Sequence, residues 1–355
     1  MIDTAGPVRP GETLDVPQVH AWLRGQLPHL SDALPEVTQY GGGASNWTYR
    51  LRYPTDDLVL RRPPAGRKAK SAHDVAREFR LQQALRPVFP QVPEMVAACT
   101  DPAVLGCDFY VMRRLDGLIA RKEFPVALAP DQARRLCENA VDLLVRLHAV
   151  DPASAGLEGF GKGRGYVKRQ IEGWAERYTA ARTPNVPSFG RVVAWLREHA
   201  PDDVDSVLIH NDFRLDNLVL DAADPTRILG VLDWELATLG DPLTDLGSAL
   251  AYWVEATDDP VLRSTRRQPT HLPGMYTRAE LVARYLERSG RTAVDFRFYE
   301  VLGLFRLAGI AQQIYWRYHA GQTRNPAFRN FWFLVTWLDL RCLRRIGLRR
   351  LFFAR

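Results

Sequence analysis

Two regimes of apolar spacing divide the chain. As far as residue 112 the apolar positions fall mainly in short runs. Residues 37–40, 47–53, 58–62 and 107–112 are bounded by Gly, Pro or Asp and read as strands. Two amphipathic stretches interrupt them. One is capped by Asp15 and runs through Leu23, with Val19, Trp22 and Leu23 on one face. The other covers 74–85, with Val75, Phe79 and Gln82 on one face and Glu78 one residue off it. Beyond residue 130 helical spacing prevails. Residues 131–148 carry Ala133, Leu136, Ala140, Leu143, Leu144 and Leu147 on a core-facing stripe that ends at His148, read as structural. Further helices are expected over 165–181, 246–254 and from 278 onward, where Trp316, Tyr318, Phe331, Trp332, Phe333 and Trp337 are expected to build a core. The pattern predicts an α+β chain. A Pro/Gly-rich mobile tail (1–13) precedes a strand-rich part (14–112), a linker (113–117) and a mainly helical part (118–355).

The helical part has one strand-like interruption. Apolar runs at 207–209, 218–220 and 228–232, with an Asp/Pro turn at 221–226, read as strands including a buried hairpin. These runs frame His210-Asn211-Asp212-Phe213-Arg214-Leu215-Asp216-Asn217 and end at Asp233-Trp234-Glu235. Phosphoryl transfer asks little covalent chemistry of a protein, but it needs a positioned hydroxyl, metal ions and charge neutralisation. Asp212 suits the first task. Asn217 and Asp233 offer the oxygen ligands that magnesium prefers. His210 reads as architectural. The plainer reading is an ordinary hairpin whose Asp and Asn residues serve its turns.

Composition narrows the partners. The chain has 355 residues, 46% of them hydrophobic, enough for a substantial core. Its four cysteines have no metal-ligand spacing, which fits a reducing cytoplasm and argues against zinc or a disulfide framework. A net charge of +6 could suit nucleic acid, but the arginines are scattered and no nucleic-acid role is expected. The first residues lack the pattern of a signal peptide, and no apolar run reaches the length of a membrane span.

The segments GGGASNWTYRL, VLRRPP, REFRLQQAL, FYVMRRLDG, YVKRQIEGW, HNDFRLDNLVL and VLDWELATLGDPLTDL occur in that order from Gly41 to Leu246. In them the chain resembles the aminoglycoside phosphotransferase family, which shares the two-lobe protein kinase fold. It is most similar to the branch found alone or fused to acyl-CoA dehydrogenase domains. The resemblance implies an ATP- and Mg2+-dependent kinase that phosphorylates a hydroxyl of a small molecule, a hydroxy acid or hydroxyacyl-CoA in this branch. Aminoglycoside or amino-alcohol kinases and a catalytically silent nucleotide-binding protein are the alternatives. It also implies that Gly42, Gly43, Ser45 and Asn46 cover the phosphates, a stretch that otherwise reads as a plain glycine hairpin. Arg61 occupies the place of the kinase lysine, with Glu78 as its partner and Lys68 or Lys70 as substitutes. By their spacing alone Arg61 reads equally as a basic strand end and Glu78 as a surface residue. Arg169 and Trp174, in an aromatic stripe that reads as core or as substrate lining, join Arg214 and Glu235 as substrate contacts. Asp241 and Asp245 are expected to cap a helix and brace the Asp212 loop. The activation segment and Ala-Pro-Glu of a protein kinase are missing, which favours a small-molecule acceptor. The last residues (341–355), with six arginines, read as a helix docked on its own lobe or one lying on an acidic membrane surface.

Overall fold

The structure, a computed structural model, describes residues 5–41, 46–64, 74–292 and 295–348. The chain forms two compact units. The first comprises Met1–Leu128, Ala153–Leu157 and Leu215–Leu236, and the second Ala129–Pro152, Glu158–Arg214 and Ala237–Arg355. Elements are numbered along the chain.

In the first unit, β1 (Glu36–Gln39), β2 (Trp47–Arg52), β3 (Asp57–Arg62), β4 (Met95–Cys99) and β5 (Phe109–Arg113) make an antiparallel sheet in the order β1-β2-β3-β5-β4. Side chains alternate across its faces. Leu58, Leu60, Phe109 and Val111 pack with Val19 and Leu23 of α1 (Val16–Gln26), whose Asp15 cap accepts from Gln18 N at 3.1 Å. Val59, Tyr110 and Met112 face the other way, toward Val75 of α2 (Val75–Leu85). Both faces of β3 and β5 are therefore covered, which is why these strands read as nearly continuous apolar runs. The same parity sends the two arginines that end β3 to opposite faces. Arg61 shares the α2 face, while Arg62 stacks over the rings of Trp47 and Tyr49, 4.8 and 5.5 Å from their centroids. A short helix, α3 (Pro102–Leu105), links β4 to β5.

Composition marks the start of the chain as mobile, yet residues 6–13 are fastened to this sheet. Gly6 N donates to Gln39 O at 2.9 Å, Tyr49 OH to Glu12 O at 2.6 Å, and Arg62 to Thr13 O at 3.1 Å. Side chains join in, with Gln39 Nε2 donating to Glu12 Oε2 at 2.5 Å and Arg9 Nη1 to Tyr40 O at 3.3 Å.

A second, three-stranded antiparallel sheet completes the unit. The expected hairpin forms from β8 (Leu218–Leu220) and β9 (Ile228–Val231), and β6 (Leu118–Ile119) adds to its free edge. Gly117 makes that approach possible, since a Cβ there would lie 2.3 Å from Leu220 O.

The second unit holds the antiparallel pair β7 (Val207–Ile209) and β10 (Thr238–Gly240). Around it are helices α4 (Pro130–His148), α5 (Tyr166–Ala181), α6 (Gly190–Glu198), α7 (Pro242–Ala251), α8 (Pro260–Thr265), α9 (Arg278–Ser289), α10 (Arg297–His319) and α11 (Phe331–Arg345). The long α10 packs on α5, α7 and α11. It meets α7 backbone to backbone: a Cβ on Gly303 would lie 2.2 Å from Gly247 O, and one on Gly247 2.5 Å from Tyr299 O.

The terminal aromatics are a correction to the expected core. Trp316, Trp332 and Phe333 are 38%, 39% and 47% exposed, and Tyr318, Phe331 and Trp337 are half-buried. Val301, Leu302, Phe305 and Ala308 of α10 and Val335, Leu338 and Cys342 of α11 are the buried positions instead. Helical spacing fixes which residues share a face, and on these two helices the buried faces are lined mainly by smaller side chains. Among the described residues no helix is long and apolar enough to cross a membrane.

Candidate functional site

The first unit builds a charged cluster around Arg61. Strand parity aims this arginine at α2, where Glu78 lies on the buried side. Arg61 Nη1 donates to Glu78 Oε1 at 2.7 Å and to Tyr110 OH at 3.3 Å, and Nη2 donates to Asp233 Oδ1 at 2.9 Å. One planar guanidinium thus joins a helix carboxylate to the carboxylate that follows β9, a span for which its forked donors are suited. Burial opposes charge on Arg61, but Glu78, Tyr110 and Asp233 outweigh it and hold the group well above its ordinary pKa. Burial pushes the Glu78 carboxyl upward, with the charge of Asp233 adding to the rise and Arg61 opposing it.

Asp233 has backbone φ of 67°, in the left-handed region that a non-glycine residue occupies at a cost. The hairpin and the turn after it hold it there. Leu232 N donates to Asn217 O at 2.8 Å, continuing the β8–β9 ladder in which Leu218 pairs with Val231. Asn217 and Asp233 are therefore neighbours at one end of this hairpin. Next in the chain, Trp234 is fully buried, its Nε1 donating to Val231 O at 2.8 Å and its ring edge-on to Phe89. Glu235 Oε2 accepts from Asn46 Nδ2 at 3.3 Å, which ties the end of the glycine segment to the Asp233 turn.

Two buried polar atoms of this cluster, Arg61 Nε and Asn46 Oδ1, have no hydrogen-bond partner among the described residues. Buried polar groups are rarely left so, and a polar ligand is one way to satisfy them. The donor set fits magnesium, because Asn217 and Asp233 both present hard oxygens.

The second unit positions Asp212. Asp245, fully buried in the first turn of α7, accepts from His210 N at 2.8 Å, Asn211 N at 2.7 Å and His148 Nε2 at 3.1 Å. Burial raises its pKa, but the His148 hydrogen bond and the neighbouring histidines bring the net value below the ordinary carboxylate. Asn211, with φ of 65°, is held from the other side as well. Tyr166 OH donates to its Oδ1 at 3.0 Å and Arg306 Nη2 to its carbonyl at 2.7 Å. Asp212 N donates to His210 Nδ1 at 3.2 Å, and its carboxylate meets Arg214 Nε at 3.0 Å. Arg214 in turn lies 4.6 Å over the Tyr252 ring. Asp241 caps α7, accepting from Leu243 N and Thr244 N at 2.9 Å. The expected division of labour between the two acidic residues is thus seen: Asp241 caps and Asp245 braces.

The sequence-derived residues fall into these two groups. Asn46, Arg61, Glu78, Asn217, Asp233 and Glu235 belong to the first unit, and Asp212 and Arg214 to the second. Gly42, Gly43, Ser45, Lys68 and Lys70 lie outside the described residues. Trp174 carries the Arg306 guanidinium 5.7 Å from its ring, which links it to the Asp212 loop. Arg169 is spent locally, donating to Gly163 O at 2.5 Å and to the Arg164 carbonyl. Sequence reasoning missed Arg306 and Tyr110. A lone arginine in the apolar run of α10 was a usable signal for the first, whereas nothing in the sequence distinguished Tyr110 from a core tyrosine.

Comparisons with known proteins bear on the family and the fold. The model of the phosphotransferase enzyme family, APH, matches residues 36–282. Mouse acyl-CoA dehydrogenase family member 10 is 36% identical over 323 residues, covering 90% of this chain and 30% of that protein. The curated relatives are longer, and the chain spans between 30% and 43% of their length. A Ralstonia eutropha protein, itself a candidate aminoglycoside phosphotransferase, has a solved structure with TM-score 0.81 and 29% identity, covering 94% of this chain and 99% of that one. The aminoglycoside phosphotransferase APH(4)-Ia, solved as a thermostable mutant in ternary complex with AMP-PNP and hygromycin B, shares the fold at 16% identity and TM-score 0.57, covering 93% of this chain and 98% of that one.

Proposed function

The chain belongs to the phosphotransferase enzyme family, with the kinase-like α+β fold, and from that premise we propose that it transfers the γ-phosphate of ATP to a hydroxyl of a small acidic molecule. The observation that carries this reading is the Arg61–Glu78–Asp233 array, because it sets a cation beside a carboxylate that would serve as a metal ligand. Asn217 and Asp233 would hold Mg2+, which supplies charge neutralisation on the phosphates. Arg61 would face the same phosphates, with Glu78 keeping its guanidinium aimed. Asn46, at the end of the glycine segment, would donate to them.

Asp212 precedes Asn217 by five residues on one continuous loop, and its role would be to orient the acceptor hydroxyl and take its proton. The new bond runs from that oxygen to the γ-phosphorus, and the bond to the β–γ bridging oxygen breaks, releasing ADP. Arg214 would hold the Asp212 carboxylate in place.

The acceptor class follows from charge. Arg214 and Arg306 flank the Asn211–Asp212 backbone, which suits a carboxylate or a coenzyme A phosphate better than a polycationic aminoglycoside. The relatives named as acyl-CoA dehydrogenases support a hydroxy acid or a hydroxyacyl-CoA.

Thermal unfolding with and without nucleotide tests the site. ATP with Mg2+ should stabilise the protein by about 2.7 kcal/mol at 100 times its dissociation constant. The increment due to Mg2+ should vanish in Asp233→Ala. A magnesium increment that survives the substitution would remove Asp233 from the metal site.

A further inference from the structure

A pocket in the second unit, among α7, α9, α10 and α11, has a volume of about 940 Å³ and is lined by no residue of the Asp212 loop. Such a volume is at the upper end of the range for small-molecule sites, roughly 300–1,000 Å³. Its wall is apolar, with Leu250, Val254, Leu262, Val282, Leu286 and Trp337 contributing. Ala251 and Trp253 line it, but Tyr252, the residue that carries Arg214, does not.

Four arginines border the same pocket together with Glu255, Asp259 and Glu300, and three of the arginines are paired with acids. Arg278 pairs with Asp258 at 2.7 Å, Arg341 with Asp258 at 3.1 Å, and Arg345 with Glu300. Arg344 is exposed and has no carboxylate partner among the described residues; its guanidinium lies 5.4 Å over the Trp337 ring. The Nε1–H of Trp337 is buried without an acceptor among the described residues. Among the described residues, the apolar wall therefore comes with one cation that has no carboxylate partner and one donor that has no acceptor, both on α11.

From this we infer that the pocket binds an amphipathic anion, a long-chain acyl carboxylate, with its hydrocarbon along the α9–α11 wall and its head group at Arg344. The inference is independent of the phosphotransfer reading. An apolar body alone would leave Arg344 unbalanced, and a small hydrophilic anion would leave the wall exposed to water. A carboxylate-headed chain answers both.

The test is a fluorescence titration of the full chain with cis-parinaric acid, an 18-carbon polyene carboxylate, and with its methyl ester. The wild type should show saturable binding, one probe per chain, displaced by oleate, with the ester weaker. Ala283→Trp fills the pocket from an exposed wall position and should abolish binding. Arg344→Glu, at an exposed position, should weaken the acid about tenfold and spare the ester. Non-saturable binding, or an acid-to-ester ratio unchanged by Arg344→Glu, would overturn the inference. Should Ala283→Trp lose its circular dichroism signature, the Arg344→Glu ratio decides alone.

Discussion

Replacing Asp245 by Asn probes the brace beneath the Asp212 loop. The wild-type carboxylate uses both oxygens on backbone donors, Oδ2 on His210 N at 2.8 Å and Oδ1 on Asn211 N at 2.7 Å, with His148 Nε2 at 3.1 Å. Asparagine is nearly the same size but has a single acceptor oxygen, so one backbone N–H would face an amide N–H. A hydrogen bond to a charged group contributes about 1.5–3 kcal/mol, and a buried donor that loses its acceptor costs about 1–3 kcal/mol. The expected destabilisation is therefore about 3–5 kcal/mol, a large part of the 5–15 kcal/mol typical of a folded domain. Equilibrium urea unfolding followed by tryptophan fluorescence reads it directly. At low denaturant the surviving native protein should turn over about 100-fold more slowly, the scale of a 1 Å misplacement of a reacting group. An Asn variant with wild-type stability and wild-type turnover would refute the brace.

Three further outcomes follow from the packing and the charges. Arg61→Met should cost about 3–5 kcal/mol, because it strands Glu78 as an uncompensated buried charge, and Glu78→Gln in the same background should recover much of that loss in urea unfolding. Gly303→Ala should destabilise by about 1–3 kcal/mol or more, since its Cβ would meet backbone at 2.2 Å, whereas Gly25→Ala in α1, with nothing within 4 Å, should be neutral or stabilising in the same measurement. Asp245 titrates in the folded state below its ordinary 3.8, so its ionised form stabilises the fold fully above that pH, and the contribution is lost as pH falls through the lower folded value. The urea midpoint of the wild type should drop on acidification below 3.8, and this limb should flatten in Asp245→Asn.

How far the sequence carried this description depended on the kind of force involved. Short apolar runs bounded by turn residues were enough to find β3 and β5, whereas the opposite facing of Arg61 and Arg62 came from the structure. Caps at Asp15 and Asp241 were legible because an aspartate before a helix has few other uses. The anchoring of residues 6–13 was hidden, since its partners, such as Gln39 and Tyr49, lie some 30 residues or more further along the chain. The exposure of Trp316, Trp332 and Phe333 was hidden for a different reason. Helical spacing groups residues by face but does not say which face another helix will cover. Arg306 illustrates the boundary. Its charge within an apolar helix was visible, but its target, the carbonyl of Asn211, lies 95 residues earlier and required the fold.

Phosphate transfer from γ-labelled ATP is the most direct test of the central claim. Wild type and Asp212→Ala would be compared with Mg2+ and a set of hydroxy acids, hydroxyacyl-CoAs, sugars, amino alcohols and aminoglycosides. The account predicts label on a hydroxyl of an acidic acceptor, reduced about 10²–10⁴-fold by Asp212→Ala, the usual contribution of general acid–base catalysis. Equal transfer by the variant, or no binding of nucleotide by the wild type, would contradict it.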